Sequence, residues 1–414
     1  MKIRSITYFL NPGMPLDLAL IKRAGDFVAQ ARASYESVGY EVQTTRLATV
    51  PFPFLVPSLD DNELCGMAKN LEISALDAGF DYVSLGPALP ELPESFKVVP
   101  AMIQAAEKVF LSGLMTSDGG YISLPAVKAC ADIIYQVAKF SNDGFSNLRF
   151  GAAANVSAGG PFFPVSYQDF RTGDHQPRFF ALATEAADLA IEAARQSDSL
   201  AKVRGILIHL VESHAARLTR VSEELADQEK GTHHAIRFGG IDFTLAPFPR
   251  VELSFGTAIE QMGVPAVGMH GSLAAAAFLT YSLDLAKYQR AGFNGLMLPL
   301  LEDAVLALRA EQGNLNLNDL LLYSAVCGTG LDTIPLPGDI SREQLTAILL
   351  DLSALAQRLD KPLIARLMPI PGKAAGELTS FDFDFFANSR VQAVRSDGIE
   401  NLLAGDETFR LAPR

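Results

Sequence analysis

The sequence predicts a single α/β domain with a largely parallel sheet, wound open or closed into a barrel. Strand-like and helix-like segments alternate along nearly all of its 414 residues, as in folds built from strand–helix–strand units. No Gly/Ser-rich linker, composition break or short repeat divides the chain. Hydrophobic residues make up 49% and charged residues 20%, which is enough apolar surface for a large core. We therefore expect one domain over residues 1–414.

Seven segments have the apolar, β-branched and aromatic character of strands. These predicted strands are residues 2–10, 40–48, 81–88, 148–156, 236–246, 295–301 and 363–370. Residues 203–225 place apolar side chains at spacings of three and four, which predicts one long amphipathic helix. The G-x-G-x-x-G fingerprint of dinucleotide-binding folds does not follow the first strand. In a parallel sheet of this kind, functional loops follow the carboxyl ends of the strands.

Charge and cysteine content narrow the classes of function. The formal net charge is −13 and no Lys/Arg cluster stands out, which argues against a nucleic-acid partner. The richest apolar window, residues 272–286, is interrupted by Asp284 and is too short to span a bilayer. The three cysteines form no CxxC pair and predict neither a zinc site nor a disulfide framework. Since the N-terminus lacks a signal-peptide pattern, we expect a cytoplasmic protein without a membrane partner.

The segment SAVCGTGLDTIPLPGD, residues 324–339, carries the strongest site signal. Its composition is typical of a strand end that opens into a shaped loop, where functional residues are often found. Cys327 precedes a glycine turn and has an acid, Asp332, five residues on, so it is a candidate nucleophile lining a pocket. The alternatives are a small core hydrophobe for Cys327 and bonds to the loop's own amides for Asp332. Cys65 and Cys130 lie in helix patterns and are expected to be inert.

Acidic residues crowd the chain before this segment. Glu302 and Asp303 follow an apolar run, where either could cap the next helix or enter a cleft. Carboxylates gathered at one cleft can share a proton or hold a hard cation such as Mg²⁺. We therefore predict that Glu302, Asp303 and Asp332 act beside Cys327, and that at least one of Glu302 and Asp303 points into the cleft. The candidate metal ligands are Glu302, Asp303, Asp332 and Asp339.

Two segments upstream offer candidate substrate contacts. Gly159 and Gly160, in ANVSAGGPFFPVSYQ, would let the backbone approach a ligand and aim N–H groups at an anion. The alternative is a tight connection closed by aromatic side chains. Asp242 lies within an apolar strand pattern, where an aspartate either lines a cavity or bonds to nearby backbone.

Three basic or titratable residues complete the predicted substrate contacts. Arg366 lies in an apolar strand pattern, where its charge is costly unless it meets a carboxylate or a substrate anion. Lys373 follows in the same segment and would receive a carboxylate or phosphate, although both residues could simply neutralise the acidic loops. His270 precedes a predicted helix and is a candidate acid–base or substrate-contact residue.

Five segments in order carry a resemblance to a known family: GGPFFPVSYQ, GIDFTLAPFP, PLLEDAVLA, SAVCGTGLDTIPLPGD and ARLMPIPGKAAGE. Through them the chain resembles the bacterial and archaeal family called domain of unknown function 711 (DUF711), most strongly over residues 145–380. The resemblance implies a small ACT-domain protein as a partner and an amino-acid-linked role. It places the family's recurring polar positions on Asp242, Glu302, Asp303, Cys327, Asp332 and Asp339.

The family is similar in fold to pyruvate formate-lyase-like barrels, which wind about ten strands around a central finger loop. The resemblance therefore implies a single β/α barrel of about ten strands. It does not imply glycyl radical chemistry, because the nearest match to that motif, SRVQAV at 389–394, lacks the glycine. Cys327 also has no adjacent cysteine.

From these features we predict an enzyme that acts on a small polar metabolite in an interior cleft, using Cys327 and nearby carboxylates. One alternative is a hydrolase or lyase that depends on a divalent cation such as Mg²⁺ and leaves Cys327 structural. Another is a non-catalytic metabolite-binding protein that uses the same cleft without a reactive thiol. A homo-oligomer is compatible with each, and the sequence does not indicate the substrate.

Overall fold

The computed structural model describes residues 1–170, 178–229 and 235–413. The strands are β1 (Lys2–Phe9), β2 (Val42–Ala48), β3 (Tyr82–Ala88), β4 (Val109–Leu114), β5 (Thr116–Ser117), β6 (Tyr121–Ser123), β7 (Phe150–Ala154), β8 (Arg178–Glu185), β9 (Ile236–Asp242), β10 (Thr244–Leu245), β11 (Gly295–Leu296), β12 (Gly330–Pro337), β13 (Leu363–Ile370) and β14 (Thr408–Arg410). The helices are α1 (Leu18–Ser37), α2 (Asp61–Asp77), α3 (Glu94–Ala105), α4 (Leu124–Val137), α5 (Ala187–Arg195), α6 (Leu200–Gln228), α7 (Phe255–Gln261), α8 (Ser272–Asp284), α9 (Ala304–Glu311), α10 (Leu317–Tyr323) and α11 (Arg342–Leu359).

Nine strands form one open, mostly parallel sheet in the order β12-β13-β7-β4-β3-β2-β1-β8-β9. Its five central strands, β1 to β4 and β7, run parallel to one another. The flanking pairs β8-β9 and β12-β13 are each parallel internally but run against the central strands. As a result, the carboxyl ends of the flanking strands lie at the same edge of the sheet as the amino ends of the central strands.

This architecture confirms the predicted α/β class and largely parallel sheet, but it does not confirm the predicted barrel of about ten strands. The nine-stranded sheet is open, and β10 and β11 form a separate parallel pair. Of the strand predicted at 295–301, only Gly295–Leu296 pairs. The prediction missed β4, β8 and β12, because short apolar runs do not distinguish strands from buried helices.

The segment 324–339 folds differently from the predicted strand end followed by a loop. A turn after α10 holds the first residues, and β12 begins only at Gly330. Pro335 and Pro337 lie within this strand, which is possible because β12 is at an edge of the sheet and pairs on one side with β13.

Helices cover the outer face of the sheet. One cluster of buried apolar side chains extends in sequence from Ile3 to Leu367. The predicted amphipathic helix is α6, which begins at Leu200 and buries one stripe that includes Val203, Leu207 and Leu218. Among the residues that the structure describes, no helix combines the length and the hydropathy needed to cross a membrane.

The inner face is covered by the segment 155–168, which follows β7. Phe163 packs into an aromatic cluster on the sheet, and Phe162 into a second apolar cluster beside it. Thr7 Oγ1 donates to the Pro161 carbonyl at 3.3 Å, which fixes the segment to β1. The segment fills much of the inner face and leaves a cleft at one edge of the sheet.

Candidate functional site

The cleft lies where the central strands begin and the flanking strands end. Its polar lining consists of Arg4, Gln43, Thr44, Arg46, Glu185, Glu302 and Arg366. Its apolar and aromatic lining consists of Tyr82, Phe110, Leu148, Phe163, Pro247, Phe248, Pro249, Phe383 and Phe385. The volume is about 90 Å³, and a water needs ~10–15 Å³ of such space, so a small metabolite fits.

Two carboxylates and two arginines form a closed ion network in the wall of the cleft. Glu302 accepts from Arg4 Nη2 at 2.5 Å through Oε2 and from Arg366 Nη2 at 2.8 Å through Oε1. Arg366 also holds Asp332 in a two-point pair, donating from Nε to Oδ1 and from Nη2 to Oδ2, the latter at 2.9 Å. The two negative and two positive charges therefore balance within the chain.

The electrostatics favour the charged forms of Glu302 and Arg366, whereas burial raises the pKa of Asp332 even though Arg366 opposes the effect. Burial alone would raise the pKa of Glu302, but Arg4 and Arg366 outweigh burial and hold that pKa below its usual value. Burial opposes the charge of Arg366 as well, yet Asp332 and Glu302 raise its pKa above the ordinary arginine value. Each partner thus depends on the others to remain charged in a buried place.

The backbone is irregular where Asp332 meets Arg366. The register of β12 against β13 shifts between Leu331 and Ile334. Thr333 lies within the shift and has a φ of +48°, a left-handed conformation that β-branched residues rarely adopt. Backbone strain of this kind persists only where surrounding contacts enforce it, and here it coincides with the buried ion pair.

Arg46, on β2, has no carboxylate partner among the residues that the structure describes. Its Nε donates to Thr44 Oγ1 at 2.9 Å, and its guanidinium carbon lies 5.1 Å from the centre of the Phe163 ring. Burial, and then the like charge of Arg4, lower the pKa of Arg46 to about 9. The cleft therefore presents a cation, still protonated at neutral pH, that forms no ion pair with any carboxylate in the described part of the chain.

Glu185, at the end of β8, is a buried carboxyl group that lines the same cleft. Gln43 Nε2 donates to its Oε2 at 2.6 Å, and no other hydrogen bond to the carboxyl group joins it to the described part of the chain. Burial raises the pKa of Glu185 above its usual value, against the opposing effects of Gln43 and Arg4. A carboxyl group with a raised pKa is suited to taking up and releasing a proton nearer to neutral pH.

The predicted pair Glu302 and Asp303 separates into two roles. Glu302 lines the cleft, but the prediction placed it in a cleft that holds residues 327–332, and none of those residues lines this one. Asp303 caps α9 instead, since its Oδ1 accepts from Val305 N at 2.9 Å, and its Oδ2 accepts from Phe255 N at 2.7 Å in α7. Asp332 pairs with Arg366, so it takes neither the role beside Cys327 nor the alternative of bonding to the amides of its own loop.

Cys327 does not line the cleft, which corrects the prediction that it lines a pocket. Its side chain is 1% exposed in the apolar core, and its Sγ accepts from Gly330 N at 3.2 Å. The glycines are explained by close backbone packing rather than by ligand approach. A Cβ on Gly295 would lie 2.8 Å from Gly328 Cα, and a Cβ on Gly330, where φ is +108°, would lie 2.4 Å from Ile364 O.

Asp242, Gly159 and Gly160 also contact neighbouring parts of the chain and do not line the cleft. Asp242 accepts from Asn294 N at 2.8 Å and from Thr244 Oγ1 at 2.5 Å, so it bonds to nearby groups and does not line the cleft. Gly159 has a φ of +88°, and its N–H donates to Tyr167 O at 2.8 Å. Gly160 packs against another glycine, and the two residues close the connection described above rather than lining the cleft.

The remaining predicted residues lie away from the cleft lining. His270 and Asp339 are exposed, and Lys373 is partly exposed. In the described ranges, no group of three or more His, Cys, Asp or Glu residues is arranged to hold a metal ion. The predicted metal ligands do not converge, because Asp303 caps a helix, Asp339 is exposed, and Glu302 and Asp332 are paired with arginines.

Sequence reasoning missed Arg4, Gln43, Arg46 and Glu185. The argument that singled out Arg366, a charge inside a strand that needs a partner, applies equally to Arg46. It was not drawn for Arg46 because β2 carries polar residues along most of its length, VQTTRLA, and has the composition of a half-exposed strand.

Comparison with known proteins agrees with the motifs. The family model described as Uncharacterised ACR (DUF711) matches residues 1–388. A UPF0210 protein of Pyrobaculum arsenaticum is 32% identical over 356 residues, which cover 82% of this chain and 76% of that protein. A UPF0210 protein of Listeria monocytogenes is 26% identical over 378 residues, which cover 87% of this chain and 82% of that protein. The resemblance carried by the motifs is thereby confirmed, and the chain belongs to the DUF711 family.

Proposed function

We propose that the protein is an enzyme that binds a small metabolite through one anionic group in the cleft and exchanges a proton with it through Glu185. Arg46 carries this proposal, because it lines the cleft and lacks a carboxylate partner among the described residues. An anionic group bound at Arg46 would complete an ion pair that the chain leaves open. Charge-assisted, two-point hydrogen bonds from a guanidinium to a carboxylate are among the strongest in proteins.

Charge balance favours a ligand group with a single negative charge. Glu302 and Asp332 are paired with Arg4 and Arg366, so Arg46 supplies one unbalanced positive charge while Glu185 is neutral. A second negative charge on the ligand would face the carboxylates of the wall without a cation to meet it. A carboxylate therefore fits better than a phosphate dianion.

Glu185 is the group proposed to move the proton. As a carboxylate it would take a proton from a C–H or O–H group of the bound metabolite and become a neutral carboxylic acid. It would then return that proton to the same or a neighbouring atom, so that no oxidant or reductant is needed. Isomerisation and elimination reactions have this form. Cys327, outside the cleft lining, takes no part in this step.

We also propose that the cleft lies inside a barrel-like enclosure. In support, β9 continues into β10, which pairs with β11, and Leu300 N donates to Asp332 O of β12 at 3.1 Å. Restricted access of bulk water would strengthen the attraction between Arg46 and an anion. We assign this activity to the cytoplasm, a reducing compartment in which the three free cysteines would remain thiols.

Binding of simple monocarboxylates to the purified full chain tests the role of Arg46. The probes are acetate, isovalerate and phenylacetate, measured by ligand-observed NMR and by calorimetry. We expect Arg46→Gln to weaken the binding of each by about 10-fold or more, because one charge-assisted contact contributes ~1.5–3 kcal/mol. Arg309→Gln is the matched control, since Arg309 pairs with Glu260 away from the cleft. Equal binding by Arg46→Gln and wild type would contradict the proposal.

The pH dependence of the same binding tests Glu185. Because its pKa is raised, Glu185 is neutral below that pKa and repels a bound carboxylate once ionised above it. Affinity should therefore fall as the pH rises through the pKa of Glu185 in the wild type. Glu185→Gln should retain binding and lose this dependence. If binding depends on Arg46 but the pH profile is the same in both proteins, a non-catalytic binding role is favoured over the enzyme.

A further inference from the structure

We infer that the ligand carries an uncharged, ring-shaped or branched apolar group beside its anionic group, an inference that rests on the function proposed above. The cleft has two chemically different parts. One part holds the charged and polar side chains around Arg46 and Glu185. The other holds phenylalanines and prolines contributed by the segments that follow β10 and β13.

Three of these rings form a continuous aromatic wall, made of Phe248, Phe383 and Phe385. The ring centres of Phe248 and Phe385 are 5.7 Å apart, and the rings meet edge to face. Phe383 and Phe385 have ring centres 5.3 Å apart. Since the rings come from segments distant in sequence, the wall is a product of the fold and not of one local motif.

Phe385 is 39% exposed, although it is one of the three rings of this wall. An exposed aromatic ring at the mouth of a concave site offers apolar area that a ligand group can cover, and covering it is favourable. The deep side of the cleft supplies a second aromatic surface. There Phe163 lies under the Arg46 guanidinium, and Phe110 packs against Phe163 with ring centres 5.5 Å apart.

Two cations at the rim of the aromatic wall indicate that the ligand group bound there carries no positive charge. Lys2 Nζ lies 5.6 Å from the centre of the Phe248 ring, and the Arg250 guanidinium carbon lies 5.5 Å from it. These cations already occupy the positions beside the ring that attract positive charge. An uncharged tail avoids their repulsion, so the class is a monocarboxylate with an aromatic or branched aliphatic substituent.

Comparison of probes that differ only in the tail tests this inference. Acetate, isovalerate, phenylacetate and inorganic phosphate are titrated into wild type, Phe385→Ala and Phe385→Leu. We expect phenylacetate and isovalerate to bind wild type about 10-fold more tightly than acetate, from the apolar area that the tail buries. Phe385→Ala should reduce that advantage about fivefold with acetate unchanged, and Phe385→Leu should restore part of it. Phe140→Ala, an exposed ring outside the cleft lining, is the control.

The outcomes separate this inference from the proposed function. If all carboxylates bind equally and Arg46→Gln weakens each of them, the inference is overturned and the proposed function stands. If phosphate binds more tightly than every carboxylate, the ligand class is overturned. Loss of the dependence on Arg46 overturns both. Since thermal unfolding of the Phe385 variants is followed in parallel, reduced binding is attributed to the cleft only for variants that unfold as wild type does.

Discussion

The turn at residues 327–330 and the cleft around Arg46 differ in how their polar groups are satisfied. In the turn, Gly330 N donates to the Cys327 sulfur and Lys361 Nζ donates to the Cys327 carbonyl at 2.5 Å, so the chain itself satisfies these groups. The buried Thr329 Oγ1 is the exception, since it has no hydrogen-bond partner in the described residues. In the cleft, Arg46 meets no carboxylate in the described residues, and Glu185 accepts one hydrogen bond from the chain. A cluster of glycines with a cysteine can therefore indicate tight backbone packing, whereas a charged side chain without an opposite charge beside a cavity indicates a ligand site.

The sharpest test of this distinction is Arg366, which lines the cleft but has its partners within the chain. Arg366→Met leaves Asp332 and one oxygen of Glu302 without a cation. We expect a loss of ~3–5 kcal/mol in the free energy of unfolding, measured by urea denaturation. Arg342→Met is the control, because Arg342 and Asp132 are 49% and 40% exposed and such a surface pair contributes ~1 kcal/mol or less. If Arg366→Met is as stable as wild type, the pairing of Arg366 with Asp332 and Glu302 does not stabilise the fold, and the proposed difference between Arg366 and Arg46 is contradicted.

Lowering the pH should reduce the free energy of unfolding through the same ion network of Arg4, Glu302, Arg366 and Asp332. The pKa of Glu302 is held below 4.5, its ordinary value, so its ion pairs stabilise the fold fully above that value. This contribution is lost as the pH falls through the lowered pKa of the folded state. The Arg366→Met variant should lose less stability than wild type over that acidic interval.

A second test breaks the turn through its backbone. Gly330→Ala places a methyl group against the Ile364 carbonyl, and in a left-handed conformation that alanine disfavours. We expect a loss of about 3 kcal/mol or more in the free energy of unfolding. Gly372→Ala is the matched control, because Gly372 has a φ of +76° but nothing within 4 Å of its added methyl group, so it should lose only ~1–2 kcal/mol. Equal losses in the two variants would mean that close packing does not explain the glycine at 330.

The smallest effect is expected at Cys327. Cys327→Ser should change carboxylate binding by less than about twofold, because the side chain lies outside the cleft. In the native protein an alkylating reagent should modify Cys65, which is partly exposed, before Cys327 and Cys130, which are buried. Mass spectrometry of the labelled peptides gives the order. Preferential labelling of native Cys327 would instead restore it as a candidate nucleophile.

The fold class and part of the site could be predicted from the sequence because apolar patterns report burial. Arg366 was identified because a charge within an apolar run must have a partner, and Glu302 because acidic residues crowd that part of the chain. Arg46 was not identified in this way because its strand, β2, is polar along most of its length. The cleft also draws its polar residues from β1, β2, β8, β13 and the segment after β11, so no local motif marks it. Only the tertiary structure shows that Arg46 has no carboxylate partner in the described part of the chain, while Arg366 has two.

The opposed direction of the flanking strands has a consequence for how this family can diversify. Loops after the central strands emerge at one edge of the sheet, and loops after β8, β10 and β13 emerge at the other. The segment after β7 is a first-edge loop that also reaches the cleft, through Phe163, whereas Phe248 and Phe385 belong to the segments that follow β10 and β13. Grafting the segments that carry Phe248 and Phe385 would change the aromatic wall and leave the nine-stranded sheet intact.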